Sequence, residues 1–465
     1  MRQFDLVILG GGSGAFAAAI KARELDQSVA LIERDRLGGT CVNRGCVPSK
    51  NLLKAGEDFY YHRGAHFPGI RHGEGRFNFE EVMAQKRQIV QKEQKGKYAD
   101  VISHLGITYI PGMGRFVSDR EIEVNGERVA GRKFIIATGA KPAIPPIEGI
   151  EAVDVLTSAT ALELESPPES MVILGGGYVG LEFAQMYHRF GSRVILLEMK
   201  PRILAEHEES ISERLTQYLR EEGIEIITGA NVTRVQPRGK MKIITAEIDG
   251  KERTFEGEAL LVGVGISPNS REIGLERAGV EVTQKGYIQV DDEMRTTNEN
   301  IYAVGDVASK IALETVAASQ GSMAAENALT GSHHTFDYLS VPRAVFTHPE
   351  VASVGLTEKK AEEMGIECSC RGLEFKVVPK ADLIHETKGY IKMVIEAKSE
   401  RVIGVHILAS GAADLIHAAV MAVKFKHTIR DIRSTLFVFP TLSESIKLVA
   451  QSFTKDVANL SCCIE

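Results

Sequence analysis

Two stretches of the chain repeat one pattern of apolar and polar positions. The first runs through Leu6-Val7-Ile8-Leu9, breaks at Gly10-Gly11-Gly12-Ser13-Gly14, continues Ala-rich, and ends with Val29-Ala30-Leu31-Ile32 and Glu33. The second runs through Val172-Ile173-Leu174, breaks at Gly175-Gly176-Gly177-Tyr178-Val179-Gly180, and ends with Val194-Ile195-Leu196-Leu197 and Glu198. Uninterrupted apolar runs of this length mark strands buried on both faces, and the stretch between them has helical character. Each copy therefore predicts a strand, a glycine turn opening a helix, and a second parallel strand. Such a turn presents backbone N–H groups to a pyrophosphate, and the acid closing the second strand can bind a ribose 2′-hydroxyl. One glycine string alone is as readily a tight turn. Finding it twice, with the acid equally far from the first glycine both times, predicts two bound dinucleotides.

Other boundaries follow from turn residues. Pro142, Pro145 and Pro146 close the first segment after Ile135-Ile136-Ala137-Thr138-Gly139, and Pro167-Pro168 precede the second copy. A further strand and turn, Ile301 to Asp306, lead into an Ala-rich helix through Glu326. A polar linker, Gly331 to Asp337, follows, and its His333-His334 pair reads as solvated loop. Beyond it, alternating strands at 389–395 and 401–408 mix with helices near 411–426 and 442–453. The expected architecture is α/β: two Rossmann-like dinucleotide-binding domains and an α+β C-terminal domain. Residues 1–148 and 269–335 form the first nucleotide domain, 149–268 the second, and 336–465 the last.

Composition narrows the class. The net charge is -7, tryptophan is absent, and no basic stripe is present, so nucleic acid is not an expected partner. The longest apolar stretch, Leu6 to Ile20, contains the best nucleotide loop and is not a secretory signal. No run reaches the length of a membrane span. The expected compartment is the cytoplasm, where cysteines are more often catalytic or metal-binding than structural staples.

Six cysteines are present. Cys41 and Cys46 lie in Gly38-Gly39-Thr40-Cys41-Val42-Asn43-Arg44-Gly45-Cys46-Val47-Pro48-Ser49-Lys50. On a regular helix five steps would separate them by about 7.5 Å, beyond the roughly 4.4–6.8 Å that a disulfide spans between Cα atoms. Gly45 and Pro48 predict an irregular turn running into a helix start, whose positive end favours a thiolate. Cys368 and Cys370 have the alternating spacing of a strand and read as incidental. Cys462-Cys463 form an adjacent pair on a terminal tail, where packing gives no reason for them and a mobile dithiol can collect a substrate.

The stretch Gly39 to Lys50, with the two glycine turns, resembles the pyridine nucleotide–disulfide oxidoreductases over essentially the whole chain. The resemblance implies that Gly10, Gly12, Ser13, Gly14, Glu33, Thr40, Lys50, Thr138, Gly139, Gly305 and Asp306 contact or position FAD. It implies that Gly175, Gly177, Gly180 and Glu198 bind NADPH or NADH, and that Glu182 lies near the nicotinamide, paired to Lys50. It also makes the C-terminal region a dimerisation domain, so a homodimer sharing its active sites is implied. Glu198 suits NADH, the family's mercury-reducing branch favours NADPH, and Lys200 and Arg202 lie close by.

Three features point within the family. The Cys462-Cys463 tail is similar to that of mercuric reductases. In Phe437-Val438-Phe439-Pro440-Thr441, Phe439 takes the place where disulfide-reducing relatives carry a proton-shuttling His; mercuric reductases have a Tyr there. Tyr98 falls where those enzymes place an active-site tyrosine. The expected function is reduction of Hg(II) by Cys41 and Cys46, with Hg(II)-thiol complexes collected by the partner subunit's Cys462 and the partner subunit's Cys463. All four cysteines are the expected metal ligands. A thioredoxin-reductase-like enzyme explains the tail but expects the missing His; a dihydrolipoamide-dehydrogenase-like enzyme explains neither. Mercuric reductases often carry an N-terminal metal-binding domain; this chain starts at the FAD strand, so mercury is expected on small thiols or another protein.

Overall fold

Apolar runs without polar interruption become strands when both faces are covered, and the runs beside the glycine strings are covered here. The computed structural model describes residues 2–63, 67, 69–70, 73, 75–309 and 311–457. Strand Arg2–Leu9 lies inside a seven-stranded sheet, parallel to Val29–Glu33 on one side and to Glu127–Ile136 on the other. Its Leu6, Val7 and Ile8 are fully buried, each contributing about 2 kcal/mol of hydrophobic stabilisation. Helix Ser13–Glu24 buries Ala15, Ala18, Ala19 and Ala22. These small side chains let it approach the Glu314–Thr330 helix until backbones touch: a Cβ on Gly321 would stand 2.1 Å from the Gly14 carbonyl oxygen.

The second copy builds a parallel five-stranded sheet around Ser170–Leu174, Arg193–Glu198 and Ala259–Val262. An antiparallel three-stranded sheet from Asn231 to Gly257 packs beside it, an element the apolar pattern did not announce. The chain then rejoins the first sheet, strand Ile301–Ala303 pairing parallel with Glu127–Ile136. The Ala-rich helix continues past Glu326 to Thr330. His333 is exposed in the linker, with a carboxylate of Glu293 3.0 Å away.

The last region is an antiparallel five-stranded sheet with Cys368–Glu374 at one edge. Its strands Tyr390–Glu396 and Val402–Ala409, and helices Ala412–Lys424 and Glu444–Gln451, fall where the alternation places them. Helix Tyr178–Arg189 of the second unit is pinned by a buried fork, in which Arg189 donates to both carboxylate oxygens of Glu222 at 2.7 and 3.2 Å. Removing one partner of such a pair costs about 3–5 kcal/mol, because the other charge stays buried. Among the described residues no helix is long and apolar enough to cross a membrane.

Candidate active site

Cys41 and Cys46 lie on two consecutive helices, not one. Gly39–Arg44 ends at Gly45, whose φ of -136° and ψ of -114° leave the helical region, and Cys46 begins the Cys46–Arg63 helix. A side chain at Gly45 would meet the Thr40 carbonyl oxygen at 2.9 Å, so glycine permits the break. Pro48 fits because N–H groups in a helix's first turn have no intrahelical acceptor. The break brings the two unbridged thiols into hydrogen-bonding reach of each other. Cys41 donates and is pushed up; Cys46 accepts and is pulled down to about 7, helped by the Lys50 ammonium. Lys50 acts on Cys46 because residues four apart on a helix share a face.

Lys50 is itself held. Its Nζ donates to Glu182 Oε2 at 2.8 Å and lies 4.6 Å from the centre of the Phe346 ring. The other Glu182 oxygen accepts the Phe346 backbone N–H at 3.0 Å, and the Glu182 side chain is only 6% exposed. Glu314, first residue of its helix, opposes Lys50 by raising both cysteines. Tyr98 lies in a single π-helical turn, Lys95–Ala99, edge-on to Phe16 with 4.6 Å between ring centres. Burial pushes its hydroxyl up, and the charges it feels include Cys41, Cys46 and Glu314.

The two glycine turns are alike down to single contacts. Gly10 has φ +116° and Gly175 φ +106°; a Cβ would fall 2.2 Å from Ala137 O in one and 2.6 Å from Gly263 O in the other. Glu33 accepts the N–H of Asp35, and Glu198 that of Lys200, both at 2.7 Å. Each acid also presses on the middle glycine of its turn, Gly11 or Gly176. Gly180 packs against Gly175, where a Cβ would lie 1.8 Å from the carbonyl oxygen. Gly177 caps its helix as Gly12 caps Ser13–Glu24.

The residues at the first turn fit FAD. Gly12 and Gly39 face each other with no side chain between, since a Cβ on Gly39 would meet Gly12 Cα at 2.7 Å. Ser13 Oγ is buried there, beside the Tyr98 hydroxyl. A cleft lined by Gly10, Glu33, Gly112, Thr138 and Asn269 continues from the turn. Thr138 Oγ1 donates to Asn269 O at 2.8 Å, and Asn269 Nδ2 donates back to Thr138 O at 3.0 Å. Gly139 follows with φ +68°. Gly305, with φ +70°, sends its N–H to Gln320 Oε1 at 3.0 Å and opens the short turn carrying Asp306, whose carboxyl is raised by burial. Thr40 is exposed beside Gly39, and Gly14 lies against Ala317.

Three participants were missed in the sequence. Phe346 and Glu314 carry no local mark of their proximity to Lys50 and the cysteines. Asn269 could have been found, because Val262-Gly263-Val264-Gly265 ahead of it repeats the strand-and-glycine pattern. Cys462 and Cys463 lie outside the described residues. Phe439 is 53% exposed, beside the still more exposed Val438 and near Leu436.

Residues 4–321 match the pyridine nucleotide-disulphide oxidoreductase family, and residues 341–450 match its dimerisation domain. The chain belongs to this family and is an FAD-dependent oxidoreductase that uses a pyridine nucleotide. Its curated relatives include the mercuric reductase of Bacillus cereus, 41% identical over 461 residues, which cover 99% of this chain and 73% of that protein. The mercuric reductase of Streptomyces lividans is 40% identical over 466 residues, 99% of this chain and 98% of the other. Among solved structures, the Cu(II) complex of the HOCl-induced flavoprotein disulfide reductase RclA from Escherichia coli matches with a TM-score of 0.87 at 28% identity. That match covers 98% of this chain and 100% of the other.

Proposed function

We propose that this chain reduces Hg(II) to Hg(0), using NADH as donor and Cys41 and Cys46 as the pair that receives the metal. The observation that carries the reading is the asymmetric dithiol: one thiol poised near neutrality beside a fixed ammonium, the other held protonated against it. FAD, when bound, supplies the two-electron link between nicotinamide and cysteines. The protein's own part is electrostatic. Lys50 stabilises the Cys46 thiolate, Glu182 fixes Lys50, and Cys41 offers a second sulfur for a soft, two-coordinate ion. Overall, NADH and Hg(II) give NAD⁺, Hg(0) and one proton.

Phe439 supports a metal over an organic disulfide, since a phenyl ring cannot shuttle the proton that dithiol–disulfide exchange requires. The relatives named mercuric reductase support it from a second direction. The dimerisation-domain match and the apolar surface of Met421, Phe425, Leu436, Val438 and Phe439 support a homodimer. In that arrangement the partner subunit's Cys462 and the partner subunit's Cys463 would hand the metal inward.

The preference for NADH rests on Glu198 and on how its basic neighbours are engaged. Glu198 accepts the N–H groups of Gly176 and Lys200, which orients it toward the turn. Lys200 Nζ pairs with Glu206 at 2.9 Å, and Arg202 donates to the carbonyls of His207 and Ala205. A 2′-phosphate would meet the carboxylate, with both cations already engaged. We expect kcat/KM for NADH to exceed that for NADPH by about tenfold or more; equal values would remove this part of the reading. The function is tested by nucleotide oxidation with thiol-buffered Hg(II), lipoamide and thioredoxin as competing acceptors. Mercury should be preferred, and a preference for either disulfide would sink the proposal.

A further inference from the structure

Cys368 and Cys370 have no part in the chemistry above, yet they are arranged. They stand two residues apart on the edge strand Cys368–Glu374, so both side chains leave the same face. Both are half-buried and unbridged. The Cys370 thiol is in hydrogen-bonding reach of Cys368 and of the Glu358 carboxylate. Lys392, opposite Gly372 in the register, shares that face and pairs with Glu208 at 2.8 Å and with Glu358. We propose that Cys368 and Cys370 form a second metal site, which holds a two-coordinate soft ion of the Hg(II) type between two thiolates.

Geometry separates this from the simpler ideas. Two strand steps put the Cα atoms about 6.8 Å apart, the outer limit of what a disulfide spans. An ion between the sulfurs lengthens the link and removes that conflict. A structural zinc needs four ligands in a tetrahedron, and no group of three or more His, Cys, Asp or Glu side chains is placed to hold a metal among the described residues. A linear ion needs only the two sulfurs present. Charge agrees as well. Lys392 and its two carboxylates leave one net negative charge, so the added unit should not be anionic, and Hg(II) with two thiolates is neutral. In binding from a bis-thiolate complex, two protein S–H bonds and the two carrier S–Hg bonds break, two protein S–Hg bonds form, and the two protons go to the departing thiolates; no electron moves. Metal held here would be stored, not reduced.

The site does not depend on mercury being the enzyme's substrate, only on a soft ion reaching the chain. The test uses the full-length, FAD-loaded protein without nicotinamide nucleotide, so binding is read apart from turnover. Hg(II) is supplied as its glutathione complex in excess glutathione, and mercury retained per protomer after gel filtration is counted. We expect Cys368→Ser/Cys370→Ser to retain one Hg(II) fewer than the wild type. Cys368→Ser alone should lose the same ion, because one protein thiol cannot outcompete excess glutathione. Equal counts in wild type and double variant would overturn the proposal, as would full retention by the single variant. Flavin content and NADH-driven ferricyanide reduction should match the wild type and so report an intact fold. If the serine pair folds poorly, peptide mapping of mercury-loaded wild type decides: Hg(II) on the peptide holding both cysteines supports the site, and none there refutes it.

Discussion

Cys41 and Cys46 are separated by a broken helix, whereas Cys368 and Cys370 are separated by one residue of a strand. In both pairs the thiols lie within reach of each other. Their surroundings differ in sign. Cys46 accepts a hydrogen bond from the Cys41 thiol and has a lysine one turn along, and it is pulled down to about 7. Cys370 is pushed up by burial first and by Glu358 second, and Cys368 is raised by burial. The partner thiol's hydrogen bond and burial, then the nearest charge, decide which dithiol is reactive at neutral pH.

The strongest way to break this comparison is deletion. Cys46→Ser should lower NADH-dependent Hg(II) reduction by about a thousandfold or more, while Cys368→Ser/Cys370→Ser should stay within about twofold at limiting mercury. Comparable losses in both would erase the distinction. Next comes pH. In the dithiol enzyme, iodoacetamide should label Cys46 about tenfold faster per pH unit below about 7 and level off above it. Labelling of Cys370 should still be rising above pH 9, and a shared midpoint would contradict the assignment. A smaller effect is expected from Lys50→Met. Losing the cation destabilises the thiolate, so the Cys46 midpoint should move up and labelling at pH 7 should slow by about three- to tenfold. Smallest is Glu358→Gln. Removing an anion favours the neighbouring thiolate, so the Cys370 midpoint should fall, but labelling should quicken only by about twofold because burial is the larger cause.

Much of this was legible because it is local. The glycine turns, the acids that close the second strands and the break at Gly45 are each written within some 25 residues, and backbone sterics enforce them. The alternating strands of the last region were readable for the same reason. Phe346 was not, since its N–H reaches Glu182 across 164 positions and any residue but proline would supply that donor. Glu314 drew no reading, because its helix reaches the cysteines through tertiary packing, close enough for Gly14 and Gly321 to meet. The Cys368–Cys370 spacing was read correctly as a strand and then set aside; the partners Glu358 and Lys392 come from separate elements.

Glu182 has a consequence for how the enzyme comes into being. One of its oxygens holds Lys50 from the N-terminal segment, and the other holds the backbone at Phe346. A growing chain has Cys41, Cys46 and Lys50 long before it has Phe346. During synthesis, then, the cation is not yet locked in position, and the sulfur it activates is less reactive. The carboxylate that fixes this cation gains its second anchor only when the last third of the polypeptide docks, so that part of chemical competence arrives with assembly.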